Sequence, residues 1–132
     1  MAYTKIIAHR GSRGNRPENT LEAFQEALKV SSDGIELDVH LSKDGQVVVI
    51  HDETVDRTTS GKGYVIAMTL KQLKELDAGS WFDPKYSNTR IPTLREVLAL
   101  LAENHFSGAL NVELKTDVFQ YSAIEEKVLA LA

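Results

Sequence analysis

The segment that most constrains this chain is Gly34-Ile35-Glu36-Leu37-Asp38-Val39-His40-Leu41. Alternate residues of an extended strand share a face, so Ile35, Leu37, Val39 and Leu41 line one side. Gly34, Glu36, Asp38 and His40 line the other. Two adjacent carboxylates on one face of a mostly apolar strand repel each other when both are ionised. Burying them unpaired is costly, and a divalent cation is the natural remedy.

A later segment, Ala109 to Lys115, repeats the pattern more weakly, with Asn111, Glu113 and Lys115 opposite Val112 and Leu114. If both strands lie in one sheet with their polar faces together, Glu36, Asp38 and Glu113 converge into a three-carboxylate site. All-oxygen ligation of this kind suits Ca²⁺ or Mg²⁺ better than zinc. The chain has no cysteine, which excludes disulfides, thiolate catalysis and Cys-ligated zinc. The competing reading is a set of surface carboxylates or an ion pair with Lys115. For either carboxylate of Gly34–Leu41 alone the two readings balance; three together favour a site.

Around these segments strand and helix patterns alternate. Lys5 to His9 reads as a short strand, followed by a loop from Gly11 to Pro17. A helix is expected near Asn19, with Asn19 as its cap, Glu22 three residues on, and Leu21, Phe24, Ala27 and Leu28 on one face. Gly34 to Leu41 is the second strand. Lys43-Asp44-Gly45 makes a tight turn, and Gln46 to His51 returns as a hairpin partner or a strand extension. Residues 52–92 break the pattern. They hold a Thr/Ser/Gly-rich loop (Thr58 to Gly63), a helix capped by Thr69 with Gln72 and ending near Gly79, and an irregular stretch with Trp81, Phe82 and Tyr86. About forty residues rarely sustain a core of their own, so this reads as an insertion within one domain spanning 1–132.

Regular alternation then resumes. Thr93 with Glu96 caps a helix bearing Leu94, Val97, Leu98 and Leu101, Ala109 to Lys115 is the third strand, and Ser122 with Glu125 caps a last helix carrying Ile124, Val128 and Leu131. The order β-α-β-(insertion)-α-β-α implies an α/β fold with a parallel sheet and right-handed crossovers. The last helix has no capping residue after it and reads as cut.

Two histidines end apolar runs, in Ile6-Ile7-Ala8-His9-Arg10 and Val47-Val48-Val49-Ile50-His51-Asp52. Each falls where a strand meets a loop, the rim on which parallel α/β sheets place their sites. Such a pair can serve as general base and general acid on either side of a phosphodiester, and Arg10 can grip a phosphate oxygen through its planar fork. A single strand-end histidine is more often structural; two, flanked by Arg and Asp and sharing a sheet with the carboxylates, point to catalysis. His40 is assigned a supporting or packing role, and His105 a solvated or capping one. Trp81 and Phe82 read as loop packing, and Gly11 with Gly14 is a weak phosphate-loop signal. Lys and Arg number 15 against 19 Asp and Glu, a net charge of −4 without a basic run. That argues against nucleic acid and anionic membranes as partners. No stretch has the length or apolarity of a signal peptide or membrane span, so the expected setting is soluble and cytoplasmic.

The motifs His9-Arg10-Gly11, Pro17-Glu18-Asn19-Thr20, Glu36-Leu37-Asp38, His51-Asp52, Pro92-Thr93-Leu94 and Glu113-Leu114-Lys115 occur in the order seen in bacterial glycerophosphodiester phosphodiesterases, which the chain resembles over its whole length. The resemblance implies a (β/α)₈ TIM barrel that hydrolyses glycerophosphodiesters to glycerol 3-phosphate and an alcohol. It implies that Glu36, Asp38 and Glu113 bind Ca²⁺ or Mg²⁺, that His9 and His51 are the acid–base pair, and that Arg10 and Lys115 hold the phosphate. The attacking hydroxyl is either water or the substrate's own glycerol 2-OH. A full barrel of this type needs about 250 residues, so only its first three βα units are expected here. The chain is then a fragment, or it self-associates or pairs with the missing barrel half. Two other readings stand: a phosphatidylinositol phospholipase C or sphingomyelinase D relative, and a catalytically silent half-barrel.

Overall fold

A computed structural model describes residues 7–11, 13–30 and 33–115. Its elements, in chain order, are β1 (Ile7–His9), α1 (Leu21–Lys29), β2 (Gly34–Leu41), β3 (Val47–Val49), α2 (Leu70–Lys74), α3 (Leu94–Glu103) and β4 (Ala109–Leu114), with short 3₁₀ turns at Val65–Ala67 and Pro84–Tyr86. The helix expected from Ser122 lies outside the described residues.

The sheet is organised by β2, the longest strand. On one edge β1 runs parallel to it over Gly34 to Glu36; on the other, β4 runs parallel over Gly34 to Val39. The turn at Gly45, which takes φ +78°, returns the chain as β3, antiparallel to Val39–Leu41. The hairpin and the parallel strands expected from the sequence are thus present.

Amphipathic patterning places the layers. Ile35, Leu37, Val39 and Leu41 of β2, with Val47 and Val49 of β3, meet Phe24 and Ala27 of α1 and Leu94, Val97 and Leu101 of α3 in one buried cluster. Phe24, Leu37, Val39 and Val97 are fully excluded from water. Each such side chain contributes about 1.5–3 kcal/mol of hydrophobic stabilisation. The opposite faces of β3 and its extension, Val48 and Ile50, gather Val55, Val65, Leu73, Ala78 and Ile91 from the inserted stretch into a second cluster. The insertion therefore shares a core with the sheet.

Local signals fixed the helix starts. Thr69 and Thr93 both form complete capping boxes, each accepting from the backbone N–H three residues on while Gln72 and Glu96 reach back. The cap of α1 differs from expectation. Thr20, not Asn19, is extended and accepts from the Ala23 N–H at 3.2 Å. Asn19 is held at φ +55° with its side chain turned toward the sheet, so it cannot cap. Helix α2 also ends sooner than the expected Gly79. The Asp77 carboxylate accepts from the backbone N–H groups of Gly79 and Ser80 at 2.9 Å each, a local turn that competes with helix.

Candidate active site

The strand register decides which polar residues meet. His9 lies opposite Glu36 across the β1–β2 pair, and Glu113 lies opposite Asp38 across the β2–β4 pair. Residues directly opposite on neighbouring strands share a face, so the alternation read from each strand becomes a single cluster. One carboxylate oxygen from each of Glu36, Asp38 and Glu113 lies within 4.8 Å of the others. Glu36 and Asp38 are buried, while Glu113 is exposed.

The electrostatics of this cluster are unfavourable as it stands. Among the described residues, Glu36 Oε1 and Asp38 Oδ1 are buried without a hydrogen-bond donor. Burial, and then the charge of Asp38, push the Glu36 carboxyl up to about 6. Orphaned buried oxygens of this kind are what a hard cation would satisfy. The donor set is all oxygen, and the three ligand atoms come from two adjacent strands. These residues fit a hard divalent cation.

Cationic groups surround the cluster. Lys115 Nζ is 3.1 Å from Glu113 Oε1 and 3.7 Å from Asp38 Oδ1. Arg10 sits immediately after β1 at φ +56°, a conformation uncommon for a residue with a side chain. Its backbone N–H donates to the Glu36 carbonyl at 2.8 Å and to Glu36 Oε2 at 3.2 Å. Its guanidinium lies 3.6 Å from Asp38 Oδ2 and hydrogen-bonds Glu18 Oε2 at 3.2 Å. The following Gly11 has φ +75°, and a Cβ there would stand 2.8 Å from Ala23, so this turn tolerates glycine alone.

The two histidines reach the rim by different routes. His9 Nε2 is 3.2 Å from Glu36 Oε2, with the imidazole half exposed. Burial, then the charges of Arg10 and Arg13, lower its pKa from the usual value, so the ring is neutral at pH 7. His51 follows β3, and its Nδ1 is 2.8 Å from Asp52 Oδ1. Because a carboxylate only accepts, Nδ1 carries the hydrogen and Nε2 holds the lone pair of the neutral ring. His40 is fully buried, and its Nε2 donates to the His51 carbonyl at 3.0 Å, which gives a physical content to the supporting role expected of it. His105 is exposed at the end of α3, as expected. Trp81 and Phe82 pack edge to face, with ring centroids 5.8 Å apart, in the inserted stretch.

Three residues of this neighbourhood carried no site role in the sequence reading. Asn19 donates from Nδ2 to Asp38 Oδ2 at 3.0 Å. Glu18 and Arg57 are joined by two hydrogen bonds of 3.0 Å. Asn19 and Glu18 belong to the Pro-Glu-Asn-Thr run, whose polar density just before a helix was the available signal. Arg57 had none, because nothing in the sequence brings it back to residue 18.

Taken together, a parallel sheet flanked by helices, with histidines, carboxylates and cations gathered at its strand ends, defines a barrel-type α/β protein with a polar rim site. The Glycerophosphoryl diester phosphodiesterase family matches residues 9–131. This chain belongs to that family. It is 52% identical over 126 residues to a glycerophosphodiester phosphodiesterase of Caldanaerobacter subterraneus, covering 96% of this chain and 51% of that protein. A glycerophosphodiester phosphodiesterase of Bacillus altitudinis is 50% identical over 125 residues, covering 95% and 51%. Among solved structures, the glycerophosphodiester phosphodiesterase of Agrobacterium tumefaciens superposes with a TM-score of 0.86 at 43% identity, over 98% of this chain and 52% of that one. An Oleispira antarctica phosphodiesterase in complex with the product sn-glycerol-3-phosphate matches with a TM-score of 0.80 at 43% identity, over 85% and 44%. The fold is accordingly part of a (β/α)₈ barrel, and the chain spans about half the length of the relatives it matches. No described helix is long and apolar enough to cross a membrane.

Proposed function

We propose that this chain provides the metal-binding and acid–base side of a glycerophosphodiester phosphodiesterase, hydrolysing glycerophosphodiesters to glycerol 3-phosphate and an alcohol. The observation that carries the proposal is the convergence of Glu36, Asp38 and Glu113, with two buried oxygens lacking donors, in a member of this family. Glu36, Asp38 and Glu113 would hold Ca²⁺ or Mg²⁺. Such an ion, when bound, polarises a phosphoryl oxygen and lowers the pKa of an attacking hydroxyl.

The chain's own residues divide the rest of the work. His9, kept neutral by burial and its arginine neighbours, accepts the proton of the attacking hydroxyl. His51, with Nδ1–H held by Asp52, delivers a proton from Nε2 to the departing alcohol oxygen. Arg10 and Lys115, already within 4 Å of the carboxylate cluster, stand to hold phosphate oxygens and offset charge that develops in the transition state. Small glycerophosphodiesters are the substrate class this reading supports, in line with the sn-glycerol-3-phosphate held by the Oleispira relative.

The decisive experiment is release of glycerol 3-phosphate from glycerophosphocholine by the 132-residue chain with Ca²⁺, with Mg²⁺ and with chelator. Metal-dependent release is expected. Release that survives chelation, or none with either metal, would overturn the proposal for this chain.

A further inference from the structure

Arg57 stands outside the polar face of β2, in the inserted stretch, yet four hydrogen bonds tie it to two carboxylates near the site. Its Nε donates to Asp52 Oδ2 and its Nη2 to Asp52 Oδ1, each at 3.0 Å. Nη1 and Nη2 donate to the two oxygens of Glu18, also at 3.0 Å each. Both carboxylates continue inward. Asp52 Oδ1 accepts from His51 Nδ1 at 2.8 Å, and Glu18 Oε2 accepts from Arg10 Nη1 at 3.2 Å. One guanidinium thus ties the segment after β3 to the loop between β1 and α1.

Exposed ion pairs usually contribute little, because water screens them and long side chains lose entropy. Paired two-point contacts within a network are the exception, since the planar fork is pre-organised for a carboxylate. Here the fork meets two carboxylates at once. Asp52, free to rotate about its side-chain bonds, is held with one oxygen toward the imidazole. The Arg57 hydrogen bonds are the largest of the influences that keep its carboxyl at about 2, so it is an anionic acceptor across the working pH range. An anionic acceptor at Nδ1 keeps the hydrogen there and leaves Nε2 for proton transfer.

We propose that Arg57 is a positioning residue: through Asp52 it fixes the tautomer and direction of His51, with Glu18 as its second anchor. The inference rests on His51 being an acid–base group of the proposed reaction. It has a readout independent of turnover. In ¹⁵N-histidine-labelled chain, His51 should be the Nδ1–H tautomer when neutral, and Arg57→Ala should shift it toward the Nε2–H form that free imidazole side chains prefer. In the same variant kcat should fall about 10- to 100-fold, as for other groups that orient a site residue from behind, while KM changes by less than about threefold. Arg57→Lys should recover only part of the loss, since an ammonium cannot span both carboxylates. If Arg57→Ala fails to fold by circular dichroism, Arg57→Gln is measured in the same way. An unchanged tautomer, with or without lost activity, would overturn the proposal. If the unmodified chain shows no turnover, the functional reading fails for it, and the tautomer measurement still decides the role of Arg57.

Discussion

Glu36→Gln should stabilise the metal-free chain while destroying its metal site. Glu36 is 7% exposed, with one oxygen lacking a donor, and sits beside Asp38 on the same strand face. Burial and the Asp38 charge raise its carboxyl from 4.5 to about 6. A displacement of this size corresponds to about 2 kcal/mol. Because the folded-state pKa lies above the unfolded value, the folded chain retains a proton that the unfolded chain releases. Stability therefore falls as pH rises from about 4.5 to about 6, and the full penalty is present above that window. Glutamine cannot ionise, and its amide oxygen still accepts from the Arg10 N–H. In chelator, urea unfolding at pH 8 should show the variant more stable by about 2 kcal/mol, and at pH 5 by less than about 1 kcal/mol. Added Ca²⁺ or Mg²⁺ should reverse the order, because only the unmodified chain gains from binding. Equal stabilities at pH 8 in chelator, or a variant that is less stable there, would show that Glu36 is neither desolvated nor repelled in the folded chain.

His51→Ala should abolish turnover while leaving calorimetric metal affinity nearly unchanged, since the carboxylate ligands come from β2 and β4; an undiminished kcat would remove His51 from the acid–base pair. Thr93→Ala removes the side-chain acceptor that caps the Glu96 N–H at the start of α3 and should cost about 1 kcal/mol in urea unfolding. Leu37→Ala empties the centre of the main cluster, where the side chain is fully buried, and should cost about 2–5 kcal/mol in the same assay.

Much of this protein was legible in the chain itself, because the signals involved are local. Period-two alternation in Gly34–Leu41 fixed both faces of β2, and its bounds match the observed strand. The threonines at 69 and 93, each with a Gln or Glu three residues on, set the starts of α2 and α3 because capping is settled within one helical turn. The same local reading failed at Asn19. Its amide faces a choice between capping α1 and meeting Asp38, and only the approach of β2 settles that choice.

The tertiary structure decided everything that depends on register and on distant chain. Sequence alternation placed Glu113 on a polar face, but only the β2–β4 register put it opposite Asp38, and only the β1–β2 register put His9 opposite Glu36. The join between Arg57 and Glu18 spans 39 positions. Side-chain periodicity carries no information at that range. Residue types and their faces are written in the sequence because backbone geometry repeats every two or 3.6 residues. Which of those faces meet is written only in the packed sheet, where one strand slipping by one residue would turn its carboxylates away from the others.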